Sequence, residues 1–138
     1  MPRPAELKQL AVVAGILRNA DDQVLIAERL GDGPFHGLWE FPGGKIAGAE
    51  QATEALCREL SEEIGIAVLE SRFFLSLEHS YPDRQVGIDF YMVDRWENEP
   101  RGLEGQRLRW VAIDELAAAE LLPADLPVVE ALQSQRPN

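Results

Sequence analysis

Apolar positions recur along this chain in two rhythms, and the switches between them mark the expected elements. Leu10 to Leu17 is apolar and rich in β-branched residues, as a buried strand should be. Asn19-Ala20-Asp21-Asp22 supplies turn chemistry, and Val24 to Ala27 reads as a partner strand, so a hairpin is expected. Gly31-Asp32-Gly33-Pro34 opens a loop running to Trp39, and Pro42-Gly43-Gly44 interrupts regular structure again. Ala52 to Ile64 then adopts helical spacing, with Leu56, Leu60 and Ile64 on one stripe and Gly65 just past the end as a stop.

Beyond the helix the period of two returns. Ile66 to Val68 and Phe73 to Leu77 read as strands, and in Val86 to Val93 the residues Val86, Ile88, Phe90 and Met92 alternate with Gly87, Asp89, Tyr91 and Val93. Glu97 to Gln106 is a polar loop, Leu108 to Ile113 a strand, and Asp114 begins a short helix. Pro123 breaks the chain before a closing helix over Asp125 to Gln133, with Pro127 tolerated in its first turn. Five to seven strands mixed with a central helix and one or two C-terminal helices predict an α/β fold, a mixed sheet with helices on both faces.

Composition narrows the class. The 138 residues suit a single domain, 46% hydrophobic and 27% charged, which is globular and not disordered. A formal net charge of −11 argues against stable nucleic-acid binding, which needs clustered Lys and Arg, but leaves a small anionic ligand open because a metal can neutralise charge locally. The lone cysteine, Cys57, forms no internal disulfide and is expected to be a small buried hydrophobe on the helix. Met1 to Leu10 carries no signal-peptide or membrane pattern, so a cytoplasmic protein without membrane contact is expected.

The stretch that changes the picture runs from Gly43-Gly44-Lys45 to Gly65-Ile66. With about 100° per helical residue and Glu59 as zero, Glu62 falls near −60° and Glu63 near +40°. Leu56 and Leu60 sit beside them, at about +60° and +100°. Three carboxylates therefore crowd one arc bordering the core, where like charges repel more strongly than in water. A hard divalent cation removes that penalty, and magnesium prefers carboxylate oxygens and bridges to substrate phosphates. Ala52 and Ala55 leave room on the same arc. Arg58 is spaced to pair with Glu54 and Glu62. The glycines let backbone groups come close to a metal or phosphate.

Gly44, five residues, Glu50, seven residues, then Arg58-Glu59-Leu60-Ser61-Glu62-Glu63-Ile64-Gly65-Ile66 matches the Nudix box at every defining position. The chain thus resembles the Nudix hydrolase family. Trp39 to Lys45, Tyr81-Pro82-Asp83-Arg84, Arg95 to Pro100 and Leu103-Glu104-Gly105-Gln106 extend the likeness toward its MutT branch, over roughly residues 10 to 130.

The resemblance implies an α/β/α Nudix fold and a Mg²⁺ site, with Mn²⁺ able to substitute, formed by Glu59, Glu62, Glu63, the carbonyl of Gly43 and the loop residue Glu104. It implies attack by water on a nucleoside triphosphate with pyrophosphate as leaving group, Glu59 or Glu104 taking the proton. Arg29 and Lys45 are candidates for phosphate contact. Base recognition falls to Arg29, Glu40, Phe41, Pro42, Gly43, Tyr81 and Asp125, with Phe41 or Tyr81 offering an aromatic face.

Asp125 departs from the asparagine of guanine-specific MutT proteins. An amide donates to purine O6 and accepts from N1–H at once, an ionised aspartate only accepts, and a protonated one can again do both. Pro123-Ala124-Asp125-Leu126-Pro127 also resembles the CTP pyrophosphohydrolase branch, and Asp125 suits a helix N-cap. The leading expectation is an 8-oxo-dGTP diphosphatase that sanitises the nucleotide pool. The alternatives are a CTP, pyrimidine or broad-specificity nucleotide pyrophosphohydrolase and a non-catalytic nucleotide-sensing Nudix module. A small nucleotide is the expected partner, and a monomer or weak homodimer the expected state.

Overall fold

The computed structural model describes residues 8–31, 33, 35–82 and 84–135. Residues 1–7, on which the expectation of no signal segment falls, Asp32 and Pro34 of the expected loop, and Asp83 of the Tyr81 to Arg84 run lie outside the described residues.

Among the described residues, seven strands and two α-helices follow in the order β1 (Lys8–Leu17), β2 (Gln23–Glu28), β3 (Trp39–Glu40), β4 (Gly43–Lys45), α1 (Ala52–Ile64), β5 (Ala67–Tyr81), β6 (Arg84–Glu97), β7 (Leu108–Ala112) and α2 (Leu126–Ser134). Two 3-10 segments, Ile113–Ala118 and Pro123–Asp125, link β7 to α2. The strands form two sheets, β4-β1-β6-β5 and β3-β2-β7. The first is mixed, with β1 parallel to β6 and antiparallel to β4.

Alternation along the strands explains the layers. On β1, Ala14 and Ile16 join one core cluster and Val13 and Leu17 the other. On β2, Val24 and Ile26 divide from Leu25 in the same way. A strand buried on both faces must read as a continuous apolar run, which is why Leu10 to Leu17 is so hydrophobic. One cluster packs under Ala55, Leu56, Leu60 and Ile64 of α1, and the other under Val128, Val129 and Leu132 of α2. The result is the expected α/β/α arrangement.

Three expectations about the strands are corrected. The hairpin does not form: β2 pairs with β3 and β7, and only an isolated bridge, Arg18 to Val24, joins it to β1. Ala67 and Val68 of the first expected strand and Phe73 to Leu77 belong to one long strand, β5, which begins just after Ile66 and whose register on β6 shifts at irregularities between Val68 and Leu75. Such bulges flip the inward and outward order, so a single strand reads as two pieces. Gly43-Gly44 does not interrupt regular structure but forms β4. Among the described residues no helix is long and apolar enough to cross a membrane.

Candidate active site

The site is assembled where α1 lies over β4. Gly44 sits opposite Val13 and Gly43 opposite Ala14, and neither glycine has room for a side chain, Gly44 because of α1 and Gly43 because of the β1 backbone. A Cβ at Gly44 would lie 2.3 Å from the Glu59 carboxyl carbon, and one at Gly43 only 2.0 Å from the Val13 carbonyl oxygen. The backbone N–H of Gly43 donates to Glu63 Oε2 at 3.1 Å. The double glycine is therefore the bed on which two helix carboxylates rest.

These contacts separate two substitutions. At Gly43→Ala the obstacle is backbone, so overpacking is expected to cost about 3 kcal/mol, the upper end of its usual range. At Gly44→Ala the obstacle is the end of a side chain, so the expected cost is nearer about 1 kcal/mol while Glu59 is pushed off its seat. Urea unfolding of both variants checks the order, and equal midpoints would contradict it.

Arg58 fixes the outer side of the acidic arc. Its guanidinium bonds Glu50 at 2.8 and 2.9 Å, Glu59 at 2.9 Å, Glu62 at 3.3 Å and the Lys45 carbonyl at 3.0 Å. Two hydrogen bonds from Arg58, one from the Ala47 N–H and the positive charge hold Glu50 at a pKa of about 2. The expected pair with Glu54 is absent, because Glu54 accepts from the Gln51 N–H at 2.9 Å at the start of the helix. Cys57 is exposed and not buried as expected.

The inner side of the arc is different. Glu63, Glu40 and Glu104 line one cavity of about 190 Å³ together with Arg29, Phe41, Pro42 and Gly43. Burial pushes the Glu63 carboxyl up to about 8, and the like charges of Glu59, Glu104 and Glu40 push the same way against the Gly43 hydrogen bond. Glu59 is 15% exposed and Glu62 57%, so Glu62 stands at the solvent edge of the group. Among the described residues no three such side chains are already gathered around one point as ligands. An all-oxygen donor set with this excess of negative charge nonetheless fits a hard divalent cation.

A larger cavity of about 510 Å³ shares Arg29, Glu40, Phe41, Gly43 and Glu63 with the first and runs to Asp125. Its size suits a small-molecule ligand. Val86, Ile88 and Phe90 give it an apolar wall, and Lys45, Tyr81 and Arg84 also border it. Phe41 is committed to the core, edge-on to Phe90 at 6.1 Å. Tyr81 is half-buried, with the Arg84 guanidinium 4.8 Å from its ring centroid.

Asp125 also lines this cavity, 5% exposed, with one carboxylate oxygen buried and without a hydrogen-bond partner. Burial raises its pKa to about 7; the Glu40 charge adds to the shift, and the Phe41 backbone and Arg29 oppose it. Asp125 does occupy the N-cap position of α2, but its side chain makes no capping bond there. Glu40 is likewise raised by burial, against its ion pair with Arg29 at 3.1 Å.

The structure thus brings together Glu63, Glu104, Glu40, Arg29, Phe41, Pro42, Gly43, Lys45, Tyr81 and Asp125 around two adjoining cavities, and seats Glu59 just behind Gly44. Three bordering residues were not singled out from the sequence. Arg84 ends the Tyr81 to Arg84 run and Gln106 the Leu103 to Gln106 run, in which Tyr81 and Glu104 are the residues with expected roles. Glu28, which holds Arg107 at 2.9 Å, carried no signal at all.

The NUDIX domain family profile matches residues 13–131. The 8-oxo-dGTP diphosphatase of Escherichia coli (strain K12) is 39% identical over 127 residues, spanning 92% of this chain and 98% of that protein. The CTP pyrophosphohydrolase of the same strain is 33% identical over 130 residues, spanning 94% of this chain and 96% of the other. A solved MutT structure, from work on Aliivibrio salmonicida and Vibrio cholerae, superposes with a TM-score of 0.82 at 37% identity, over 94% of this chain and 100% of that one.

Proposed function

This chain belongs to the NUDIX domain family, hydrolases of phosphoric anhydride bonds that use a divalent metal, and from that premise we propose that it hydrolyses 8-oxo-dGTP to 8-oxo-dGMP and pyrophosphate with Mg²⁺. The observation that carries the substrate reading is the single cavity bordered by Glu63, by the apolar Val86, Ile88 and Phe90, and by Asp125, one of whose carboxylate oxygens is buried without a partner.

Glu59, Glu62, Glu63, Glu104 and the Gly43 carbonyl would hold the metal. Bound there, a divalent cation offsets phosphate charge and makes the attacking water more acidic. The protein's own residues do the rest. Arg58 keeps the outer carboxylates in place. Glu59 or Glu104 takes the proton from water. Lys45 and Arg29 meet the phosphates. The base lies along the apolar wall with Tyr81 at its edge, and Asp125 reads its hydrogen-bonding side. A protonated Asp125 donates to O6 through its O–H and accepts from N1–H through the other oxygen, as an asparagine would.

A second reading has its own support. An ionised Asp125 accepts from the amino group of cytosine, which suits a CTP pyrophosphohydrolase like the relative described above. The presence of every box glutamate speaks against a module that only senses nucleotides. A kcat/KM panel of 8-oxo-dGTP, dGTP, CTP, dCTP and 2-hydroxy-dATP with Mg²⁺ decides. 8-oxo-dGTP is expected to lead by at least about tenfold, the size of one lost hydrogen-bonding partner in a buried site. CTP or dCTP at the head of the ranking would replace the first reading with the second.

A further inference from the structure

Glu104 comes from the loop of residues 98–107 between β6 and β7, far in sequence from Glu63. Loops of this length wander unless something ties them down, and a metal ligand must be placed to within a fraction of an ångström. The tie is the end of α1. A helix leaves its last carbonyls without partners inside the helix. Here the Glu63 carbonyl accepts from the Leu103 N–H at 3.0 Å and the Ile64 carbonyl from the Arg101 N–H at 3.0 Å. The loop is thereby threaded onto the helix that carries the other carboxylates.

One side chain completes the tie. Gln106 is 9% exposed, one of two buried polar residues in the described core. Its Nε2 donates to the Glu63 carbonyl at 3.1 Å, and its Oε1 accepts from the Glu104 N–H at 2.9 Å. A primary amide offers a donor and an acceptor side by side, and both are used. The carboxylates of both residues it joins line the smaller cavity. The next residue, Arg107, is pinned to Glu28 through its side chain at 2.9 Å and through the Glu28 N–H to its carbonyl at 2.9 Å, so Gln106 is held from both directions.

We propose that Gln106 is a positioning residue for the metal-dependent reaction, its carboxamide setting the Glu104 carboxylate against that of Glu63 so that one cation meets both. This rests on the placement of Glu104 in the metal site. Gln106 touches neither metal nor substrate; it acts through Glu104, and removing such supporting partners typically costs 10- to 100-fold in metal affinity or turnover.

The test is a cycle of Gln106→Leu, Glu104→Gln and the double variant, read by Mn²⁺ titration calorimetry and by kcat, with thermal melting to confirm folding. Gln106→Leu is expected to weaken Mn²⁺ binding and lower kcat by about 10-fold or more, and to add less than about twofold once Glu104 is already Gln, because a residue acting through Glu104 has nothing left to place. Gln106→Glu should not rescue, since an ionised carboxylate cannot donate to the Glu63 carbonyl. Should Gln106→Leu fail to fold, Gln106→Asn, too short to span both partners, takes its place with the same expectation. Wild-type Mn²⁺ affinity in the Gln106 variant, or an undiminished effect in the Glu104→Gln background, overturns the proposal while leaving the Glu104 assignment standing. A Glu104→Gln variant with unchanged affinity and turnover overturns both together.

Discussion

Glu63→Gln is expected to lower kcat by on the order of 10³-fold, as loss of a charge-stabilising group in a closed site does, and at the same time to make the metal-free protein melt several degrees higher than wild type at pH 8 to 9. The two effects have one cause. Burial, then the charges of Glu59, Glu104 and Glu40, lifts the Glu63 carboxyl from 4.5 to about 8. The unfolded chain releases this proton near pH 4.5 while the folded chain keeps it to about pH 8, so the native state binds more protons across that window. Stability from this group is therefore intact below pH 4.5, falls as pH rises, and is lowest above pH 8. Glutamine never ionises and escapes the penalty, while its carbonyl can still accept from the Gly43 N–H. Adding Mg²⁺ should reverse the order of melting temperatures, because a ligand that binds only the native wild type stabilises it by mass action. Pyrophosphate release with Mg²⁺, and melting curves in chelator and in Mg²⁺, measure both. Wild-type-like turnover would remove Glu63 from the metal site, and a lower melting point in chelator at pH 8 would contradict the repulsion. Glu59→Gln should lose turnover too, without the thermal gain, because it breaks a 2.9 Å ion pair with Arg58.

What the sequence revealed of this site, and what it hid, divides along the reach of the interactions. The carboxylate arc on α1 was readable because a helix fixes the angle of every residue; the same arithmetic puts Cys57 at about 160° from Glu59, about 20° from buried Ile64, so its exposure depends on how far the neighbouring elements cover that edge of the helix. Arg58 has Glu54 and Glu62 at the right spacing, yet it leaves Glu54 and makes its shortest bond to Glu50, which with the Lys45 carbonyl is brought near only by the fold. The turn at Asn19 to Asp22 looks like a hairpin connection, but β1 is buried on both faces and needs partners on either edge, and β6 and β4 supply them from far along the chain. Gly43-Gly44 resembles a breaker because glycine is a poor strand former; its reason for being there is the Glu59 carboxyl lying where a side chain would go. Glu104 and Asp125 sit in polar or proline-flanked segments with no periodicity to place them, and family resemblance located them where physics from the sequence did not. Gln106 is an ordinary polar residue until its two hydrogen bonds are seen.

Asp125→Asn is expected to raise kcat/KM for 8-oxo-dGTP relative to CTP by about tenfold or more at pH 8, and to leave the ranking nearly unchanged at pH 6. The wild-type carboxyl carries a pKa of about 7 because it is buried beside Glu40. Below that pH it presents the donor and acceptor pair that an amide presents; above it, only acceptors. Oxidised guanine offers both an acceptor at O6 and a donor at N1, so its wild-type kcat/KM should fall as pH rises through 7, whereas a nucleotide that only donates to this site should be favoured over the same range. The nearest charged groups, Glu40 and Arg29, oppose each other, and Lys45, Arg84 and Glu63 border the same cavity, so the pH profile of the asparagine variant serves as the reference that isolates Asp125. Stability must move with the same group. The unfolded aspartate ionises near 3.8 and the folded one near 7, so wild type loses stability between those values and stays at the lower level above them. At pH 8 the asparagine variant should be the more stable by about 2–4 kcal/mol, the free-energy equivalent of the raised pKa, and at pH 4 the difference should vanish. A ranking that ignores pH in both proteins would leave Asp125 a buried acid without a part in choosing the base. A variant less stable than wild type at pH 8 would mean that its ionised form is better satisfied than its unpartnered oxygen indicates.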